Sequence, residues 1–271
     1  MATSNELPEF ERPPVIEVVC GVLFRPIEAL LAPHLGLLWN EFLGEYPTCQ
    51  EVPPLAPVIE RFDEPPAVQM EFSDKPPLPR IWFVHGKENG IIQVQRDRFL
   101  HNWKKVRPDD EYPRYGSVIK MFRDRITTFE KFLDKTGLGT IQPEQLEMTY
   151  VNHIPRGEGI GSLSEVGSVF PDFSWRDNAQ RFLPTPETLN WKCVFALPDK
   201  VGRLHATIRS AVRRDDNTPI LLFELTARGI PKEHTVSEMW SWFDLAHEWI
   251  VRGFADLTGD DMHQNIWKRS K

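Results

Sequence analysis

The chain has 271 residues, of which 41% are hydrophobic and 26% charged, the balance of an ordinary globular protein. Its 32 basic and 39 acidic side chains leave a formal charge of -7, which argues against a chain built mainly to coat nucleic acid. No apolar run approaches the roughly 18 residues of a membrane span, and the opening MATSNELPEFERPP has no basic start or apolar core, so neither a membrane partner nor a secretory leader is expected. Cys20, Cys49 and Cys193 form no CxxC pair and make an odd count. That excludes a disulfide scaffold or zinc knuckle and points to a reducing cytoplasm.

Residues 1–14 are polar and proline-containing, and are expected to form a flexible lead-in. Val15–Phe24 is rich in β-branched residues and predicts a strand. Over 28–44, Leu30, Leu31, Leu35, Leu38, Trp39 and Phe42 recur at helical spacing, with Pro33 near the start. Nine prolines then crowd residues 47–80 and predict a long extended connection, with an edge strand near Ala67–Phe72. Ile81–His85 and Ile91–Arg98 flank a Gly-Lys-Glu-Asn-Gly turn and read as a hairpin, after which 96–107 reads as a basic loop. Tyr112–Lys135 carries Val118, Phe122, Ile126, Phe129 and Phe132 on one stripe of a long helix ended by Gly137.

Leu146–Ile154 alternates like a strand, and 162–170 suits a short helix. Asn190–Leu197, Arg203–Val212 and Ile220–Arg228 are predicted strands, the last two joined at Asp216-Asn217. Val236–Leu257 is the closing helix, with Phe243, His247, Ile250 and Phe254 on its buried stripe. Both halves run strand, helix, connection, strands, long helix. The expected fold is α+β: an antiparallel sheet with long helices packed on one face, built by internal duplication into a saddle-like or helix-grip-like shape. The expected units are 15–140, containing the Pro-rich connection 47–80, and 141–271, which shares the sheet.

Candidate binding residues come from two stretches. In Arg203–Arg213 the period of two gathers Arg203, His205 and Arg209 on one sheet face. A tight turn at Asp216-Asn217 would set Arg209 opposite Glu224 as a cross-strand ion pair. The second stretch holds Gln93, Gln95, Arg98, Asn102, Trp103 and Lys104, with Tyr115 following. Cations interleaved with aromatic rings are the chemistry that holds phosphates and stacks on bases, although Asp109-Asp110-Glu111 offsets the charge.

Three segments carry a resemblance. They are Pro13–Val22, the Gln95-x-x-Arg98-Phe99-x-x-Asn102-Trp103-Lys104 run with Tyr112-Pro113-Arg114-Tyr115, and the closing His247, Phe254, Leu257-Thr258, His263 and Trp267. In these the chain resembles a sporadically distributed bacterial family of uncharacterised proteins of similar length. The resemblance implies a place in mobile or defence-associated systems and transfers no catalytic residue.

Enzyme signatures fail on inspection. His247-Glu248 begins a zinc-protease motif, but Val251 stands where the second histidine is required. There is no phosphate-cradling GxxxxGK[ST] loop and no GxSxG elbow. Gly157-Glu158-Gly159-Ile160-Gly161 places an acid where phosphate would sit. No catalytic residue, metal site or cofactor is therefore expected. The leading expectation is a cytoplasmic, non-enzymatic protein acting through a protein partner or a second copy of itself. The alternative is a small-molecule pocket protein or enzyme lined by Gln93, Gln95, Arg209 and Glu224, and nucleic-acid binding ranks third.

Overall fold

The computed structural model describes residues 6–56, 58–61, 78–157, 159–173, 175, 182–231, 233 and 235–271. The strand expected near Ala67–Phe72 lies outside them. The elements run β1 (Val15–Phe24), α1 (Ala32–Phe42), β2 (Thr48–Val52), β3 (Arg80–Val84), β4 (Gly90–Gln95), β5 (Arg98–Lys104), α2 (Arg114–Thr136), β6 (Pro143–Pro155), α3 (Val166–Val169), β7 (Asn190–Ala196), β8 (Gly202–Val212), β9 (Pro219–Gly229) and α4 (Val236–Leu257). The fold is α+β, with one nine-stranded sheet in the order β2-β3-β4-β5-β1-β6-β9-β8-β7. Each neighbouring pair is antiparallel.

β1 and β6 pair at the middle, so residues with β-branched and aromatic side chains occupy the most buried strands. Val18, Cys20, Val22 and Phe24 of β1 are buried on one face, beside Phe99 of β5 and Met148 of β6. On that face Phe129 of α2 stacks on Phe99 at 5.2 Å and meets Phe24 at 6.1 Å. Phe254 of α4 lies 5.8 Å from Phe223 of β9, and the two long helices touch where Phe122 meets Phe243 edge-on at 5.4 Å. These rings anchor the apolar side of the sheet. Gly137, at φ 65, ends α2 by returning its N–H to Leu133 and Asp134 carbonyls, while Thr235 caps α4 by accepting from the Glu238 N–H.

Three local expectations are corrected. Residues 96–107 are not a basic loop: Arg96-Asp97 is a two-residue turn, and Arg98–Lys104 is an interior strand between β4 and β1. Part of the proline-rich connection, Thr48–Val52, is the edge strand β2. The β8–β9 hairpin is not centred on Asp216-Asn217. Thr207 faces Glu224 and Arg209 faces Leu222, so the expected Arg209–Glu224 ion pair is absent from the register. The reason is the loop, residues 213–218. Asp216 accepts from Arg213 and from the Thr218 N–H, and Asn217 takes φ 56, which winds the turn around Asp216 and shifts the pairing.

Residues 9–12, expected in the lead-in, bond along 267–271, and Phe10 is buried against Phe254 and Trp267. Among the described residues no helix is long and apolar enough to cross a membrane.

Candidate functional site

The second face of the sheet is polar although much of it is buried. The alternation that sends Phe99 and Trp103 to the helices sends Arg98, Asn102 and Lys104 the other way. One chain of hydrogen bonds crosses four strands there. Arg80 Nη1 and Trp82 Nε1 both donate to Gln93 Oε1, at 2.9 and 3.1 Å. Gln93 Nε2 donates to Asn102 Oδ1 at 2.7 Å, and Asn102 Nδ2 donates to Glu17 Oε1 at 2.6 Å. Across the midline, Arg228 Nε donates to Glu147 Oε2 at 2.5 Å, and the Thr149 and Thr226 hydroxyls meet at 2.9 Å. Burial pushes the Glu17 carboxyl up, against the Asn102 bond and the Lys104 charge, which hold it down. Burial and the Arg98 charge push Arg80 down.

A strap of described residues after β2 crosses this face. The Leu55 N–H donates to Gln95 Oε1 at 2.9 Å, and Gln95 Nε2 donates back to the Leu55 carbonyl at 3.0 Å. The Glu60 N–H donates to Gln145 Oε1 at 2.7 Å, and Gln145 Nε2 donates to the Val58 carbonyl at 2.7 Å. A primary amide carries an acceptor and a donor side by side, so each glutamine replaces one rung of a β-ladder. β4 and β6 are three strand spacings apart, about 14 Å, which an extended chain covers in about four residues. The sequence spacing of Leu55 to Val58 and Glu60 meets that. Pro53 and Pro54 favour such an extended chain, whose backbone groups have no internal partners.

The strap ends in an ion pair. Arg203 Nη1 donates to Glu60 Oε2 at 2.6 Å, His205 Nε2 donates to Glu60 Oε1 at 2.5 Å, and Arg203 Nη2 reaches the Arg61 carbonyl at 2.9 Å. The Glu60 side chain is only 5% exposed. Burial alone would raise its pKa, but the bonds and charges of His205 and Arg203 outweigh that and bring the carboxyl down to about 2. The apolar side chains of the strap are partly exposed: Leu55, Val58 and Ile59 are 39, 49 and 37% exposed. The strap is held by these polar contacts, and it crosses the face where Leu23, buried, pairs with Arg98 and Gln145.

Of the residues expected to bind, Gln93, Gln95, Arg98, Asn102, Lys104, Arg203, Arg209 and Glu224 share this face. Arg98 is bound to Asp97 at 2.9 Å, Arg209 is exposed near the far edge, and Glu224 is half-buried beside Thr226. Trp103 and Tyr115 are on the helix side instead. Trp103 packs on Tyr112, and Tyr115 stacks on His247 at 4.0 Å and donates to Asp244 at 2.6 Å. The basic-aromatic cluster expected around Trp103 is thus split between the two faces. Sequence reasoning missed Glu17, Glu60 and Gln145. The period of two in β1 and β6 carried a signal for Glu17 and Gln145, but nothing in a proline-rich run marks Glu60.

Two hollows lie elsewhere. One, about 250 Å³, sits beneath residues 7–15 and is lined by Tyr112, Tyr115, Tyr150 and His247. There Tyr150 bonds Tyr112 at 2.8 Å and His247 Nδ1 at 3.0 Å, and burial pushes His247 down to about 4. The other, about 570 Å³, is a cleft beside Arg252, Asp256, Asp260 and Arg269. Gln93, Gln95, Arg209 and Glu224 line neither. Among the described residues no three His, Cys, Asp or Glu side chains group as metal ligands. No family model matches the chain, and no curated protein matches it.

Proposed function

We propose that this is a non-enzymatic binding protein of a bacterial cytoplasm that acts through a protein partner, and that the polar sheet face takes that partner as an extended segment. The observation that carries the reading is the pair of glutamine clasps, Gln95 on Leu55 and Gln145 on Val58 and Glu60. They bind backbone amides in the manner of a strand added to a sheet, which suits a polypeptide whatever its side chains. The reading includes an internal duplication. Supporting it, the strand order runs inward as β2-β3-β4-β5-β1 from one edge and β7-β8-β9-β6 from the other. The resemblance to sporadically distributed bacterial proteins supports a mobile or defence-associated setting.

A photo-crosslinking amino acid at Trp82 or Lys104, both on the polar face, tests it in host cells, with Lys120 on the outer side of α2 as control. A discrete polypeptide adduct from the face positions and none from Lys120 supports the reading. Equal labelling from all three, or none from the face, overturns it.

A second reading, a small-molecule protein, is favoured by the hollow of about 250 Å³ with its tyrosine hydroxyls and imidazole. Native mass spectrometry tests it: a retained mass of a few hundred daltons, lost on Tyr150→Phe, supports it.

A further inference from the structure

We infer that residues 53–56 and 58–61 are an intramolecular stand-in for the partner, and that their contacts specify what the partner carries: an extended segment with a carboxylate five residues beyond its first clasped residue. The inference rests on the reading of the polar face as a partner site. The strap supplies a template. Gln95 takes both the N–H and the carbonyl of residue 55, Gln145 takes the carbonyl of 58 and the N–H of 60, and Arg203 with His205 takes the side chain of 60. The glutamines use two N–H groups, those of residues 55 and 60. Prolines stand in the sequence at 53, 54 and 57, never at these two. A partner segment must therefore have an N–H at its first and sixth positions and an acid at the sixth, while the two positions before the first tolerate proline, as Pro53 and Pro54 do. Side chains at the first, fourth and fifth positions are partly exposed, as Leu55, Val58 and Ile59 are, so they carry less specificity than the acid at the sixth.

The strap's anchoring bonds are polar, and Leu55, Val58 and Ile59 stay partly exposed, which makes the strap replaceable. Its tether holds it at an effective concentration of the order of millimolar, so a free segment competes poorly until the strap is weakened or the segment is itself locally concentrated. The site is therefore closed in the resting chain and opens to a partner that matches the template.

The probe is the synthetic peptide VPPLAPVIER, residues 52–61, amidated and labelled at its N-terminus with tetramethylrhodamine, with its glutamate the one carboxylate of the peptide chain and the Gln peptide carrying the same dye as control. The receptors are the full chain and its Leu55→Pro/Glu60→Gln variant, which removes one strap N–H and the strap carboxylate but leaves both glutamines and the Arg203–His205 pair. Both changes fall on the strap, Glu60 on its covered side, and far-UV circular dichroism checks the fold. By anisotropy the peptide should bind the variant at least about tenfold more tightly than the wild type. Gln145→Ala in the receptor, or Gln at the peptide's glutamate, should each cost about tenfold or more. In the wild type, excess peptide should speed hydrogen exchange at the Leu55 and Glu60 amides, a readout that needs no variant. Equal binding to both receptors, equal binding by the Gln peptide, a single-stranded oligonucleotide binding in its place, or unchanged strap exchange each overturns the inference. If the peptide fails while crosslinks still form at Trp82, the face binds its partner by another geometry; if the peptide binds and crosslinks fail, the clasps accept a segment but no cellular partner uses them.

Discussion

Glu60→Gln isolates what the ion pair contributes to strap docking. Glu60 is almost fully covered and accepts one bond each from Arg203 and His205, at 2.6 and 2.5 Å. Hydrogen bonds to charged groups contribute about 1.5–3 kcal/mol each, and glutamine retains one acceptor oxygen, so the change removes about one such bond, roughly 2 kcal/mol. Both glutamine clasps remain. Local opening of the strap should therefore become about 30-fold more frequent. Hydrogen exchange read by NMR suits the measurement, because the Leu55 and Glu60 amides are the ones the glutamines hold. Both should speed up about 30-fold, while the Phe99 amide of the interior strand β5 stays unchanged. The pH dependence follows from the same group. Its carboxyl is brought from 4.5 to about 2, so its contribution is complete above 4.5 and is lost as pH falls through about 2. The variant should lack that acid-dependent part. An acceleration under about threefold would mean that the ion pair does not hold the strap, and equal acceleration at Phe99 would mean that it supports the whole fold; either result refutes the reasoning.

Phe129→Ala should cost about 3–5 kcal/mol by urea denaturation, because its buried ring is the link between α2 and both Phe99 and Phe24. His101 is buried on the helix face with Nε2 against the Tyr46 hydroxyl at 3.1 Å, near Arg125 and His85, and burial followed by the Arg125 charge pushes it down to about 3. The folded chain keeps this imidazole neutral while the unfolded chain protonates it, so stability should fall as pH drops from about 6.5 toward 3, by at most about 1.4 kcal/mol per pH unit, and His101→Gln should flatten that slope in denaturation series. Cys49 is exposed and Cys20 is buried, with its thiol raised by burial. Iodoacetamide should label Cys49 in the folded chain and reach Cys20 only after unfolding, as peptide mass spectrometry would report. Gly229→Ala should destabilise strongly, because an added methyl would meet the Val201 carbonyl and the Gly202 Cα, backbone atoms that cannot swing aside as a flexible side chain would; an unchanged melting temperature would refute this.

The α+β class and the long helices could be read from period alone, because Phe122, Phe129, Phe243 and Phe254 recur at the spacing that buries one helix face. The strand β5 was hidden by its own charges. Arg98, Asn102 and Lys104 drew attention as a cluster, while their alternation with Phe99, His101 and Trp103 is what a sheet with one apolar and one polar face requires. The β8–β9 register escaped because Asp216-Asn217 resembles a two-residue turn, and its wider loop depends on the Arg213–Asp216 pair. The strap escaped for a different reason. Its partners Gln95, Gln145 and Arg203 lie 40, 85 and 143 positions away from the residues they hold, and a proline-rich run has no periodicity to reveal such contacts.

The chemistry of the strap face follows from what a sheet face can do once helices cover its other side. A bare apolar face would demand permanent cover, and a fully charged one would hold no chain by its backbone. This face carries amides and hydroxyls joined in rungs, with Gln95 and Gln145 buried yet satisfied by the strap. Leaving those two amides dry and unpaired would cost about 1–3 kcal/mol each. Water can take the strap's place on an opened face, so exchange between strap, water and a partner segment involves bonds of similar strength in all three states. Such a surface favours replacement over tight closure. The Glu60 contact with Arg203 and His205 then favours an occupant that brings a carboxylate, because charge-assisted bonds are roughly twice as strong as the neutral amide bonds of the clasps.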